Sequence, residues 1–167
     1  MEYTIISATN RKDSNTLKIA EAYRDLLAER GIQAQLLTLE GLNVLDRGED
    51  LEEVEKQFLI PADKFIFIVP EYNGSFPGIL KALMDNSDIR RAWWGKKALL
   101  TGVSTGRAGN LRGLEHLTGI LHYLKVSVHH NKLPISVVDK LLDEQGRLVD
   151  PATLGVIGEQ LDEFISF

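Results

Sequence analysis

The 167-residue sequence predicts an α/β fold in which five parallel strands, in the order 2-1-3-4-5, are sandwiched between helices in three layers. Two observations carry this. Apolar runs of strand length alternate five times with segments whose apolar residues recur at helical spacing. Among the strands, Phe65-Ile66-Phe67-Ile68-Val69 has no polar gap, as in a strand buried on both faces, whereas Gln33–Leu39 alternates polar and apolar, as at an edge. Right-handed crossovers leave few ways to connect such a set, and two polar edges around three apolar strands fit the doubly wound order.

Strand one runs from about Tyr3 to Ala8. Helix one starts after Ser14 or Asn15 as N-cap, carries Leu17, Ala20, Tyr23, Leu26 and Leu27 on one face, and stops at Gly31. Strand two, Gln33–Leu39, lies at an edge, and the acidic stretch Glu49–Gln57 reads as a short surface helix. Strand three, Lys64–Val69, is central. Pro77 suits the first turn of a third helix reaching about Asn86, because its missing N–H has no partner there. Strand four is Lys97–Val103, and a fourth helix, about Asn110–Lys125, buries Leu114, Leu117, Leu121 and Leu124. Strand five, Val126–His130, gives way to a less regular segment before Asp150-Pro151 opens the last helix. No repeat or linker interrupts the pattern, so residues 1–167 are expected to form a single domain.

Composition narrows the function. An apolar content of 44% suffices for one core at this length. The net charge of -5, with Lys and Arg scattered, argues against nucleic acid or an anionic membrane as partner. Cysteine is absent, which removes thiol catalysis, disulfides and thiolate metal sites together, so redox chemistry has to come from a bound cofactor. The N-terminus lacks a secretory signal pattern, no run approaches the ~18 apolar residues of a membrane span, and a cytoplasmic protein is expected.

Three polar loops follow strands one, three and four, where ligands sit in open α/β sheets. The first, Ser7–Thr16, sets hydroxyls, amides and Arg11 ahead of a helix N-terminus, a donor set suited to a phosphate monoester. The second, Pro70-Glu71-Tyr72-Asn73-Gly74-Ser75-Phe76-Pro77-Gly78, is stiffened by two prolines, and Asn73 with the backbone N–H groups can meet the carbonyls and nitrogens of a planar heterocycle. The third, Ser104-Thr105-Gly106-Arg107-Ala108-Gly109, again pairs glycines with donors, its amides suited to an anionic ring edge.

These three segments, with Pro77-Gly78-Ile79-Leu80-Lys81 completing the second, resemble the NAD(P)H-dependent FMN reductases, a flavodoxin-like family that includes quinone, azo-dye and chromate reductases. The resemblance spans nearly the whole chain. It implies FMN as cofactor, with Thr9, Arg11, Ser14, Asn15 and Thr16 at its phosphate, Pro70, Glu71, Tyr72, Asn73 and Gly74 along its isoalloxazine, and Ser104, Thr105, Gly106 and Gly109 at its pyrimidine end. It further implies NADPH or NADH as hydride donor, a small-molecule acceptor served in a ping-pong cycle, no protein catalytic residue, and a homodimer or dimer of dimers. The chain departs from the family in having Ala8-Thr9 for Gly-Ser, Thr16 for Asn and Asn86 for Trp.

Other residues are read as structural. None of His116, His122, His129 and His130 falls in the three loops, and His129-His130 has no carboxylate at ligand spacing in the sequence, so no metal is expected. Trp93-Trp94 suit packing or a subunit contact, and Asp85 and Asp88, three apart, suit a solvated helical face. Rival readings are a flavodoxin-type electron carrier, a relative that has lost its flavin, and a receiver module, which needs an acceptor Asp where the chain reads Val69-Pro70-Glu71.

Overall fold

The computed structural model describes all residues, Met1–Phe167. Its elements are β1 (Tyr3–Ser7), α1 (Asn15–Glu29), β2 (Ala34–Thr38), α2 (Glu49–Val54), β3 (Lys64–Pro70), α3 (Gly78–Asn86), α4 (Ile89–Ala92), β4 (Lys97–Val103), α5 (Leu111–Tyr123), β5 (Ser127–Val128), β6 (Leu133–Ile135) and α6 (Pro151–Ser166). All strand pairs are parallel and the order is β2-β1-β3-β4-β5, with β6 also on β4. The expected flavodoxin-like order is the observed one.

The gapless apolar strands have a plain explanation. Successive side chains of a strand point to opposite faces, so Ile6, Phe65 and Phe67 enter one core with Trp93, Leu114, Leu117 and Leu121, while Ile5, Ile66 and Ile68 enter the other with Tyr23, Ile157 and Phe164. Every residue of β1 and β3 is buried. In α1 the predicted stripe holds for Ala20, Tyr23 and Leu27, with Ile19 in place of the half-buried Leu17 and Leu26.

The right edge differs from the expected single fifth strand, making the strand count six. Only Ser127 and Val128 pair with β4, at Lys97 and Ala98, before the chain bends at His130, whose carbonyl accepts the Lys132 N–H at 3.0 Å. It then returns as β6 against Thr101–Val103. The bend frees the Asn131 carbonyl to accept from Gln160 Nε2 at 2.8 Å, an interaction a continuous strand would forgo. Pro77 sits at the N-cap rather than inside α3, a shift of one residue.

Two side-chain expectations are corrected, and a third, packing by the tryptophans, holds for one of the pair. The acidic stretch is not wholly a surface helix: after α2 it widens into a π-helical turn, Glu55–Leu59, and Glu55 is buried, accepting from Arg47 Nη2 at 3.0 Å and from the Asp88 N–H. Asp85 and Asp88 do not share a helix, since Asp85 pairs with Lys81 on α3 while Asp88 caps α4. The tryptophans part company: Trp93 is fully buried against Phe65, its Nε1 donating to Ser87 Oγ at 2.8 Å, whereas Trp94 is exposed beneath the Lys125 ammonium, 3.8 Å from its ring centroid.

At the N-terminal ends of the strands, lysines close helix termini. Lys64 Nζ donates to the carbonyls of Phe164 and Ile165 at the end of α6, and Lys96 Nζ donates to those of Leu59 and Ile60. Burial lowers Lys96 to about 8. Below that value both states carry the proton; between about 8 and the ordinary lysine value the unfolded chain binds more protons, so stability rises with pH. We expect Lys96→Met to remove a gain of about 1 kcal/mol between pH 7.5 and 9.5, after allowance for solvent screening, measured by urea unfolding at the two pH values.

Candidate active site

All three loops leave the C-terminal ends of adjacent strands, and hydrogen bonds lock them together. Glu71 N–H donates to Val103 O at 3.0 Å, joining the exits of β3 and β4. Asn110 Nδ2 donates to the carbonyls of Val69 (3.2 Å) and Pro70 (2.9 Å), tying the start of α5 to the root of the second loop. Thr9 Oγ1 and the Tyr72 hydroxyl share a hydrogen bond at 2.5 Å, joining the first loop to the second.

The first loop is built as a cradle of N–H groups. Ser14 caps α1, its Oγ accepting from Leu17 N–H at 3.1 Å while its own proton stays available. The N–H groups of Asn10, Lys12, Asp13 and Ser14 donate to no protein atom, and those of Asn15 and Thr16, in the first turn of α1, have no carbonyl one turn back. Thr9 and Thr16 are buried, Asn15 is half-buried, and Arg11 is exposed. The Arg11 guanidinium lies 4.1 Å from the centroid of the Tyr72 ring and forms no ion pair. Ser7 Oγ, at the end of β1, is buried without a partner.

The second loop is a two-residue hairpin. Tyr72 and Ser75 exchange both backbone hydrogen bonds (2.9 and 3.1 Å), and Asn73 and Gly74 take φ of 52° and 78°, the left-handed pair that an Asn-Gly turn supplies at least strain. That geometry turns the Asn73 and Gly74 N–H groups outward with no protein acceptor. Pro70 is buried as the last residue of β3, and Glu71 is exposed.

The third loop is braced from behind by the segment after β6. Ser104 N–H donates to Ile135 O, while Val137 N–H and Val138 N–H donate to the carbonyls of Gly106 and Ser104. Ser104 Oγ is turned inward onto Gly106 O at 3.0 Å, and the N–H groups of Thr105, Gly106 and Arg107 remain free. Gly109 does not face the crevice: it is buried with φ of 51°, and a Cβ there would meet the Pro134 carbonyl carbon at 2.5 Å, so its place in the fold is to let α5 approach β6.

Two residues outside the three loops line the same region. His116, expected to stay clear of the loops, accepts or donates through Nδ1 to Ser75 Oγ at 2.9 Å. Arg112, one turn earlier on α5, brings Nη1 within 3.1 Å of where a Gly74 side chain would begin. Their i, i+4 spacing just after the third loop was the available signal. Asn86, which stands where the family often has Trp, donates from Nδ2 to Val44 O at 3.0 Å, and its own carbonyl accepts from Arg47 Nη1 at 2.7 Å, pinning the loop after β2.

In this acidic chain the crevice mouth carries Arg11, Arg107 and Arg112, none of them ion-paired. Free N–H groups, hydroxyls and a guanidinium around one helix N-terminus match a phosphate monoester, and two further sets of outward N–H groups match the edge of a heterocycle. This donor set fits FMN. A groove of about 560 Å³ between α1 and the Gln145–Leu148 turn touches the first loop only at Asp13 and Ser14 and lies outside the crevice.

Comparison with known proteins agrees with this chemistry. The profile of the NADPH-dependent FMN reductases matches residues 1–137. The chain belongs to that family. Membership makes it a flavin-dependent oxidoreductase with FMN as cofactor and NAD(P)H as reductant. Over 100% of its length it is 26% identical to a 2-hydroxy-1,4-benzoquinone reductase of a Burkholderia species, 96% of which is covered. Over 60% of its length it is 36% identical to an NAD(P)H-dependent FMN reductase of Pseudomonas aeruginosa, covering 56% of that protein. Among solved structures, a flavoenzyme NAD(P)H:(acceptor) oxidoreductase of Paracoccus denitrificans superimposes with a TM-score of 0.81 at 20% identity, covering 99% of this chain and 95% of the other. This FMN reductase has its three loops at the carboxyl edge of a flavodoxin-like sheet.

Proposed function

We propose that this FMN reductase holds the FMN phosphate in the Thr9–Thr16 loop, seats the ring along Tyr72–Gly74 with Thr105 and Gly106 at its pyrimidine end, and serves a quinone-like acceptor in a ping-pong cycle. Bound FMN supplies hydride acceptance from NAD(P)H and delivery of electrons onward. The chain's residues do the positioning. Arg11, Ser14, Thr16 and the free N–H groups before α1 neutralise and orient the phosphate. The Asn73 and Gly74 N–H groups fix the ring edge, and those of Thr105, Gly106 and Arg107 are aimed where negative charge grows.

One observation carries this reading: Arg11 stacks on Tyr72, the residue before Asn73, while Thr9 bonds the same tyrosine. A phosphate-binding loop and a ring-binding loop are therefore in contact, close enough to grip one molecule. A quinone acceptor is supported by the Burkholderia relative, which is named for one. A single domain over 1–167 is supported by the one sheet with a core on each face. For a cytoplasmic homodimer or dimer of dimers, the support is an acidic chain with no helix long and apolar enough to cross a membrane, and the apolar Leu111 and Tyr123 exposed on α5.

The test is anaerobic addition of NADH or NADPH to FMN-loaded protein, followed by steady-state rates with a benzoquinone at several fixed donor concentrations. Bleaching of the flavin and parallel double-reciprocal lines are expected. Flavin colour that persists overturns the binding geometry as a productive one, and intersecting lines overturn the ping-pong cycle.

A further inference from the structure

At the opposite end of the sheet from the crevice, the bend after β5 brings together two imidazoles and a carboxylate. His129, His130 and Glu163 each offer one ligand atom, and all three atoms lie within 4.8 Å of one another. Adjacent residues of a regular strand point to opposite faces, yet here the two rings face each other with centroids 4.4 Å apart and planes 39° from parallel. The strand break described above is what turns them to one side. The carboxylate absent from the local sequence arrives from α6, about thirty residues on.

We propose that His129, His130 and Glu163 form a binding site for one divalent transition-metal ion of the zinc, cobalt and nickel class, which staples the end of α6 to the broken edge of the sheet. Two neutral imidazoles and one carboxylate suit borderline ions, whereas magnesium and calcium favour oxygen alone. Three protein ligands with an exposed side leave a position for water.

The surroundings hold the ligands ready. His129 is buried, fixed by its N–H bond to Ala98 O (2.8 Å) and packed edge-on against the rings of Phe164 and Phe167. Asn131 Nδ2 donates to Glu163 Oε2 at 2.8 Å, and the Asn131 carbonyl is itself held by the buried Gln160, so the carboxylate is aimed by a residue anchored in the core. No lysine or arginine pairs with Glu163, and the nearby Lys64 ammonium is spent on two carbonyls. Ligand atoms around a tetrahedral ion stand about 3.3 Å apart. His130 and Glu163 are exposed, so small rotations of their side chains close the remaining gap of up to about 1.5 Å. The contact displaced is the long bond from Asn131 N–H to His129 Nδ1 (3.3 Å), since Nδ1 either gives its lone pair to the ion or carries the proton while Nε2 does.

Calorimetric titration of Zn²⁺ and Mg²⁺ into the tag-free, FMN-loaded protein tests this, with thermal unfolding alongside. One equivalent of Zn²⁺ and no Mg²⁺ is expected, with an unfolding temperature that rises with Zn²⁺. His130→Ala and Glu163→Gln, both at exposed positions, should each weaken Zn²⁺ at least tenfold and abolish that rise. The rate of NAD(P)H-driven acceptor reduction should not change, because the cluster lies about 20 Å along β4 from Ser104. Absence of Zn²⁺ heat in the parent, or equal Zn²⁺ affinity in the two variants, overturns the site.

Discussion

Gly102→Ala should lower stability by about 3 kcal/mol and the unfolding temperature by roughly 10 °C, the cost of overpacking a site that cannot yield. Gly102 lies within β4, and a Cβ there would stand 2.0 Å from the Gly109 carbonyl oxygen and 3.1 Å from its carbon. Both obstacles are backbone. Relief requires either that β4 part from its register with Val69 of β3 and Pro134 of β6, or that the third loop lift away. The second route moves Asn110, whose amide holds Val69 and Pro70, so FMN affinity should fall with stability even though Gly102 lies beneath the crevice. Gly106→Ala is the matched control: a Cβ there meets nothing within 4 Å, and stability should change by less than about 0.5 kcal/mol. Calorimetric unfolding of the two variants decides it, and a Gly102→Ala protein that melts with the parent refutes the close approach.

What the sequence revealed and what it concealed divide along physical lines. The central strands and the Leu114–Leu124 stripe were legible because burial on a sheet or helix face enforces a pattern, and each such residue except the half-buried Lys97 is buried. The loops were legible because strand ends locate them. The broken fifth strand was hidden, since the apolar pattern of Val126–Val128 runs on without a Gly or Pro to mark the bend, and the gain that drives the bend, the Asn131 bond to Gln160, comes from a distant helix. Glu55 was misread for the same reason, its partners Arg47 and Asp88 lying in other segments. Within the candidate site, His116 was read as structural and Arg112 escaped notice because composition does not say which face of α5 meets the second loop. Gly109 was read as a ligand contact when its freedom at positive φ serves packing. Ala108 and Asn110 flank it at φ of 71° and 63°, a run that the sequence signals only through Gly and Asn.

Replacing Arg11 by Gln should weaken FMN about 10- to 150-fold, the worth of one charge-assisted bond of about 1.5 to 3 kcal/mol. The fold should be untouched, because the side chain is exposed, forms no ion pair and stacks on the Tyr72 ring. That stack leaves two ways for the substitution to act: Arg11 can grip the phosphate, or it can hold the Tyr72 ring in place for the flavin. Riboflavin separates them, since it has the ring without the phosphate. If Arg11 grips the phosphate, riboflavin should bind parent and variant alike while FMN discriminates, and Arg11→Lys should recover only part of the loss, keeping the charge without the planar fork. Flavin fluorescence titrations supply all of these values. Equal losses for FMN and riboflavin would instead make Arg11 a support for Tyr72 and leave the phosphate to the N–H groups before α1, in which case Ser14→Ala becomes the substitution that discriminates between the two ligands.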